Sequence, residues 1–488
     1  MKWLQPKIAL TESEVQSGLR MVIGDGLATE AMTVLTGGTF LIALAILLGA
    51  SNFQIGILAA LPTFTNIFQL LSIWLVGKYK NRRLISVSCS IIARIPLLVI
   101  GILTITSHGS VRLLLSLLFF YYFFASIAGP SWNSWVKDLV PEKMLGTYFG
   151  RRTRLSQILN VILSITLAFL LDYVKKYYPT AELMTYASMF IAGGVVGITG
   201  ALVLSRAPEP QSSLTQLNLF NLLKQPLREK NFRRLLIFNS AWVFALNIAI
   251  PFFTVYMIKT LKLPLTYVVG LTIVGVVSSI FTVQAWGSLA DRYSNKTIIA
   301  IGGPLYVLCI IGWCFVEIYT HMYMNVILLI LIYIGSGIST AGINLSLTNI
   351  GLKLSPKEDA IVYLTTKNII TAFFSSIAPV IGGWLADFFT SRHLTITAQW
   401  TSPRIDKVFR LLVLHEWNFL FLIGALLALF ALQFLAAVRE PGEVEKDKVI
   451  RIMRTNIKSN LKEYFLIGDI IELQEQLMAS IKKKIRPD

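Results

Sequence analysis

Long apolar runs recur from one end of this 488-residue chain to the other, and they limit its fold more than any other feature. A run of about 18 or more apolar residues crosses roughly 30 Å of hydrocarbon as a helix. In lipid, where no water meets the backbone, a helix satisfies its own peptide groups. Twelve such spans read at roughly 19–49, 54–76, 84–106, 111–135, 151–172, 183–205, 234–259, 264–286, 297–317, 323–347, 361–388 and 411–438. Charged residues make up 14% of the chain, against roughly 25% in a soluble domain, and one soluble core stops growing near about 250–300 residues. The fold class is therefore all-α transmembrane, with twelve helices.

A net charge of +18 would suit nucleic acid if it were clustered on a soluble face. Here, with the amino terminus placed inside, most Lys and Arg fall in the segments on that same side. Apart from residues at span ends, Arg20, Arg94 and Lys367 are the ones counted within spans. That asymmetry follows the positive-inside rule. It puts both termini in the cytoplasm, predicts contact with anionic lipids, and leaves no nucleic-acid function to explain. The expected location is the plasma membrane, or the inner membrane of a Gram-negative cell. The opening MKWLQPKIALTESEVQSGLR lacks a short apolar core followed by a small-residue cleavage site, so the first long helix is expected to act as the insertion signal. Cys89, Cys309 and Cys314 lie inside spans and read as small hydrophobes. His108, His321, His393 and His415 fall on or near the outer side without metal-ligand spacing, and read as scattered loop residues. Neither a metal nor a cofactor is expected.

The stretch WGSLADRYSNK (286–296) breaks one of the apolar runs, and IWLVGKYKNRRLI (73–85) looks like a worn copy of it. At an offset of roughly 214 residues Arg20 falls on Arg234 and Asp25 on Asn239. One residue further, Pro141 falls on Pro356, Tyr148 on Tyr363 and Arg152 on Lys367, and FLLDYV (169–174) falls on WLADFF (384–389). A near-constant offset over most of a half describes two six-helix bundles in parallel repeat. The organisation that follows is a first bundle over 1–205, a cytoplasmic linker with an interfacial helix over 206–230, a second bundle over 231–438, and a basic helical cytoplasmic tail over 439–488. The tail is a candidate site for a cytosolic partner, and the protein is expected to be a monomer.

With the loop G-x-x-x-D-R-x-x-x-[RK] supplied by Gly287, Asp291, Arg292 and Lys296, the chain resembles the major facilitator superfamily. The resemblance covers about residues 15–438 and implies secondary transport by two halves that rock about a shared site. It also implies that Asp291 faces the start of helix 5, at Gly150, Arg151 and Arg152, as a latch on the cytoplasmic side. An anion there meets the positive end of a helix and nearby guanidinium groups. The first half departs from the pattern: Ile73 and Gly77 stand where the glycine and the aspartate belong. Its basic cluster of Lys78, Lys80, Arg82 and Arg83 is expected to serve topology alone. The arginine of helix 4 and the Gly-Pro run of helix 5 typical of drug exporters are missing too, which weakens that reading.

The strongest functional signals are ionisable side chains within spans, since each costs at least about 2.5–3.5 kcal/mol at the bilayer centre. Counting along helices 1 and 3 brings Glu30 and Arg94 to a similar depth, so a Glu30–Arg94 pair is feasible, with Asp25 shallower. Gly24 and Gly26 would let helix 1 bend or pack closely. Either Asp25 or Glu30 carries a coupling proton or touches the solute, or Arg94 and one acid form a fixed structural pair. Arg152 and Lys367, read as starting helices 5 and 11, are expected in gating. Asn66, Gln69, Tyr121, Tyr122, Trp132, Asn133, Asn239, Trp242 and Asn247 are candidate cavity-lining residues. Aromatic rings opposite small polar side chains suit an amphiphilic organic solute better than a bare ion. The alternative is ordinary helix packing.

The external segment SRHLTITAQWTSPRIDKVFR is long and basic and is a candidate cover for the outer mouth. No G-x-x-x-x-G-K-[ST] loop is present, and no cluster of His, Asp and Ser that an enzyme would need. The function read from the sequence is secondary active transport of a small amphiphilic solute by alternating access, with protons as the coupling ion. The alternatives are a facilitated uniporter or a lipid or conjugate flippase of the same fold, and, further off, a receptor or a membrane enzyme.

Overall fold

The computed structural model describes residues 6–7, 10–106, 109–211, 225–316, 322–356, 360–402 and 405–440. Among these, twelve helices are long and apolar enough to cross a membrane. Spans 1 to 6 are Glu12–Leu47, Asn52–Tyr79, Arg82–Ile105, Val111–Leu139, Glu142–Tyr177 and Pro179–Leu204. Spans 7 to 12 are Lys230–Lys259, Leu265–Arg292, Asn295–Phe315, Tyr323–Lys353, Val362–Phe389 and Glu416–Leu435.

Local chemistry fixes where the helices start. Thr11 and Ser51 accept from the backbone N–H three residues on, and Glu14 and Gln54 reach back to the capping residue, forming capping boxes on spans 1 and 2. Asn81, Ser110 and Ser294 cap spans 3, 4 and 9. The helix of span 1 runs unbroken through Gly24 and Gly26, from Glu12 to Thr36, and Gly26 packs closely against Arg152. The break comes at Gly37 and Gly38, the latter at φ +55°, where the chain restarts as Gly38–Leu47. Span 12 also starts later than the apolar run predicts. Residues His393–Ser402 and Ile405–His415 pair as an antiparallel hairpin (β1 and β2), with Leu394 opposite Leu414 and a bulge between Ile396 and Thr397. The β-branched and aromatic residues of 405–415 that extend the hydropathy of span 12 belong to a strand instead.

Glycines set the packing within the first bundle. Gly193, Gly197 and Gly200 of span 6 meet Thr36, Met32 and Ala28 of span 1 so closely that a Cβ at any of them would clash. Outward-facing side chains such as Phe169, Phe281 and Leu308 are more than half exposed, as a lipid-facing surface requires.

The first-half basic cluster is more than a topology signal. Arg82 is fully buried, pairs with Asp138 at 2.5 Å and Glu209 at 3.4 Å, and donates to the carbonyls of Ser134 and Pro210. The Glu209 carboxylate also accepts from the backbone N–H of Arg82 and Arg83, so it caps span 3. The second half repeats the device: Glu440 accepts from Asn295 Nδ2, from the Lys296 N–H and from Lys353 Nζ, at 2.7–3.0 Å. An acid just past the last helix of each half thus holds the start of that half's third helix. Glu209 is only 1% exposed, so this part of the expected linker is built into the first bundle. The expected interfacial helix and the basic tail fall largely on 212–224 and 441–488, outside the described residues, as do His108 and His321.

Candidate functional site

Three spans bring the mid-membrane charges of the first bundle together. The close approach of spans 1 and 6 at Gly197 lets Arg94 of span 3 reach across. Arg94 Nη1 donates to the Gly197 carbonyl, and Nη2 donates to Thr29 Oγ1 at 2.9 Å and lies 3.5 Å from Asp25 Oδ1. Asp25 and Arg94 are each 5% exposed. The pair that forms is thus Asp25–Arg94, not Glu30–Arg94. Glu30 turns to span 5, where Asn160 Nδ2 donates to its carboxylate at 2.6 Å. Charge compensation explains the choice: a buried guanidinium needs an anion, whereas an amide suffices for the half-buried Glu30.

Arg152 and Lys367 do not start their helices. The helices begin at Leu145 and Ala360, about two turns earlier, so the helix dipole bears little on either cation. Arg152 stacks on Trp132 of span 4, its guanidinium carbon 4.8 Å from the ring centroid. It lies against Gly26, where a Cβ would come within 2.6 Å of its Nε. Lys367, 8% exposed, donates to the Leu347 carbonyl of span 10 at 2.9 Å. Leu347 is the repeat counterpart of Trp132, so both cations rest against matching points of their bundles. Away from the span ends, the rest of the second half is neutral among the described residues. Asn239 donates to Thr371 at 2.7 Å. Phe244 replaces Glu30 at the matching position, in an apolar groove of about 410 Å³ shared with Leu236, Ile237, Ser240, Ile370 and Phe374.

The remaining candidate cavity residues scatter. Asn66 and Gln69 bond each other at 3.1 Å beside the short 3₁₀ turn Asn66–Phe68 that interrupts span 2. Tyr121 and Tyr122 pack edge to face with centroids 4.8 Å apart. Asn133 is exposed, and Asn247 donates to the Val243 carbonyl of its own helix. Trp242 is 1% exposed between Phe238 and Tyr306 of span 9, where it fills the bundle core. An aromatic at helical spacing fits core and cavity equally well; only the fold separates the two.

The two bundles meet at one end of the molecule through a matched pair of carboxylates. Asp172, late in span 5, accepts from the N–H groups of Leu265 and Thr266 at 2.8 Å each and from Thr266 Oγ1 at 2.6 Å, capping span 8. Asp387, late in span 11, accepts from the N–H groups of Asn52 and Phe53 at 3.0 and 2.9 Å, capping span 2. Beside it, a Cβ on Gly56 or Gly383 would drive into the backbone of the opposite bundle. Lys259 of span 7 adds bonds to the Ala50 carbonyl and Asn52 Oδ1. The two aspartates are the repeat-related D of FLLDYV and WLADFF. The sequence displayed their equivalence but not that each reaches the other bundle.

At the opposite end, Asp291 is exposed and, among the described residues, holds no hydrogen bond or ion pair. Arg151 is exposed, and Arg292 lies over its own neighbour Tyr293 at 5.4 Å. Gly287 has ordinary space, with Leu345 3.7 Å from where a Cβ would sit. Lys296 contributes its N–H to Glu440.

Twelve spans in two pseudo-symmetric bundles, clasped at one end and carrying ionisable groups in their interior, define a membrane transporter rather than an enzyme. The chain belongs to the Major Facilitator Superfamily, whose family profile matches residues 27–360. No curated protein matches its sequence. Solved structures share the fold. The nucleoside transporter NupG is similar at TM-score 0.62 and 13% identity, over 87% of this chain and 98% of its own. A bacterial homologue of the lysosomal transporter Spinster, inward-facing and occupied, gives 0.59 and 13% over 87% and 96%. The POT family transporter PepTSo gives 0.62 and 9% over 88% and 98%.

Proposed function

We propose that this chain is a secondary transporter of a small amphiphilic organic solute, that it works by alternating access, and that protons drive it through Glu30. The observation that carries the reading is the contrast between the two ends. Two repeat-related aspartates clasp the bundles together at one end, while Asp291 stands without a partner at the other. With the termini inside, as the distribution of basic residues implies, this is an inward-facing arrangement. The reverse swing would break both clasps and carry Asp291 to Arg151 of span 5.

The two acids of span 1 have different prospects as proton carriers. Asp25 is held in a buried pair with Arg94, so it is tied to a fixed partner in another span. Glu30 leans on an amide, which can bond a carboxyl in either form, and holds no ion pair among the described residues. Arg94 is then structural. Counterflow and pH-driven accumulation in proteoliposomes, with solutes chosen by thermal-shift screening, test this. Glu30→Gln is expected to abolish accumulation and spare exchange, whereas Asp25→Asn is expected to lower folded yield. Intact accumulation in Glu30→Gln refutes proton coupling there; absence of counterflow for every solute that binds refutes transport.

A further inference from the structure

The transporter reading leaves one group unused. Arg152 stacks on Trp132, and the buried Arg152 Nε and Trp132 Nε1 both lack a hydrogen-bond partner. A guanidinium and an indole N–H are donors only, so neither can satisfy the other, and buried donors are seldom left so. The terminal nitrogens of Arg152 bond to nothing among the described residues either, and its side chain is half-buried, not fully exposed. The carboxylates of span 1 are hydrogen-bonded elsewhere, Asp25 with Arg94 and Glu30 with Asn160; Asp25 lies within electrostatic reach of Arg152 but does not bond it. Gly26 keeps the guanidinium pressed close to span 1, since any Cβ there would displace it.

We propose that the transported solute carries an oxyanion, a carboxylate or a phosphate, and that Arg152 backed by Trp132 receives it. The proposal rests on the transporter reading and adds the charge of the substrate. An oxyanion supplies the acceptors this donor pair lacks, and a planar guanidinium binds it in two-pronged fashion. A neutral solute would leave the charge unmatched, and a cationic one would be repelled. Lys367 strengthens the assignment from the other bundle. It stands at the matching repeat position without an ion pair among the described residues, and its ammonium has two donors left after Leu347. Each bundle therefore offers, at these matching positions, a cation with no ion pair among the described residues.

The test uses the full chain in neutral detergent, with phenylacetate and phenyl phosphate as probes and phenylacetamide as the uncharged isostere. Both anions are expected to raise the unfolding temperature and the isostere is not, because binding to the native state stabilises it. Arg152→Gln is expected to lose the anion-dependent shift and Lys367→Gln to weaken it. Trp132→Phe, which keeps the ring but removes the N–H, is expected to reduce it, which guards against misfolding in the arginine variant. Arg112→Gln, an exposed cation elsewhere, should keep the whole shift. A shift of equal size with phenylacetamide, no shift with either anion, or an undiminished shift in both Arg152→Gln and Trp132→Phe overturns the proposal. Alternation of access is measured without solute, by the distances described below, so the transporter reading stands or falls separately.

Discussion

The clasp at Asp172 gives the most direct handle on the conformational cycle. Its half-buried carboxylate accepts two backbone N–H groups and one hydroxyl from the other bundle, all within 2.8 Å. Hydrogen bonds to a charged group contribute about 1.5–3 kcal/mol each. Taking the low end for the two backbone bonds, discounting for partial exposure, and letting the Thr266 hydroxyl turn to water leaves about 2 kcal/mol. These bonds cross the bundle interface, so they exist only while this end is shut. Asp172→Ala should therefore shift the closed-to-open ratio by that whole amount, roughly thirtyfold. A form open at this end and populated at about 1% would rise to roughly a quarter of the molecules. The assay is double electron–electron resonance between labels on Tyr177→Cys and Lys262→Cys, with Cys89, Cys309 and Cys314 replaced by Ala. Asp172→Ala should add a long-distance population, and Asp387→Ala a smaller one, because Asp387 is exposed and makes two bonds rather than three. Identical distance distributions in wild type, both single variants and the double variant would refute the clasp.

Two further outcomes follow from the carboxylates that bracket spans 3 and 9. Arg82→Gln removes a fully buried cation from Asp138 and Glu209 and should cost about 3–5 kcal/mol, read as a large fall in unfolding temperature; a wild-type melt would show that the buried pair is inert. Burial pushes the Glu440 carboxyl up, but hydrogen bonds from Lys296, Asn295 and Lys353 outweigh it and hold it below the usual range. A depressed value in the folded state means the unfolded chain binds the extra proton. The stabilisation is thus complete above about pH 4.3, the ordinary glutamate value, and lost as pH falls through the folded one. Thermal melts along an acid series should show Glu440→Gln with a shallower acid limb than wild type, and parallel limbs would refute the assignment.

The fold was legible because hydropathy and charge placement need no knowledge of side-chain direction. Span existence, the repeat and the loop signature all depend on order along the chain. What failed was partner choice. Counting residues from a span's end gives depth, and on depth alone Glu30 matches Arg94. A helix turns about 100° per residue, so Asp25 and Thr29 share a face while Glu30 points well round from them. That angle decides between span 3 and span 5, and it depends on which neighbour lies where. The clasp was half legible: Asp172 and Asp387 align in the repeat, but a carboxylate at a helix end looks like a boundary marker until the opposite bundle is in place. Span 11 starts within a residue of its apolar run, but span 5 starts earlier than its run because Arg151, Arg152 and Arg154 look like interface charges. The helix of span 5 in fact begins at Leu145, past residues that hydropathy alone excludes.

What the two halves share, and where they differ, separates movement from chemistry. The clasps are duplicated, Asp172 with Asp387, and so are the brackets, Glu209 with Glu440. Duplication is what a rocking motion between equal bodies requires: a single clasp would leave one flank free and turn rocking into a hinge about the other. The interior is not duplicated. Asn239 answers Asp25, Phe244 answers Glu30, and a buried Ser240, its hydroxyl unpartnered, answers Gly26. One ionisable proton site suffices to couple a proton, and a second at the matching place would add charge the membrane penalises without adding work. Among the described residues, only the cations Arg152 and Lys367 appear on both sides of the interior. A group retained in both halves at that cost, away from the clasps and brackets, is best accounted for by something that moves between them.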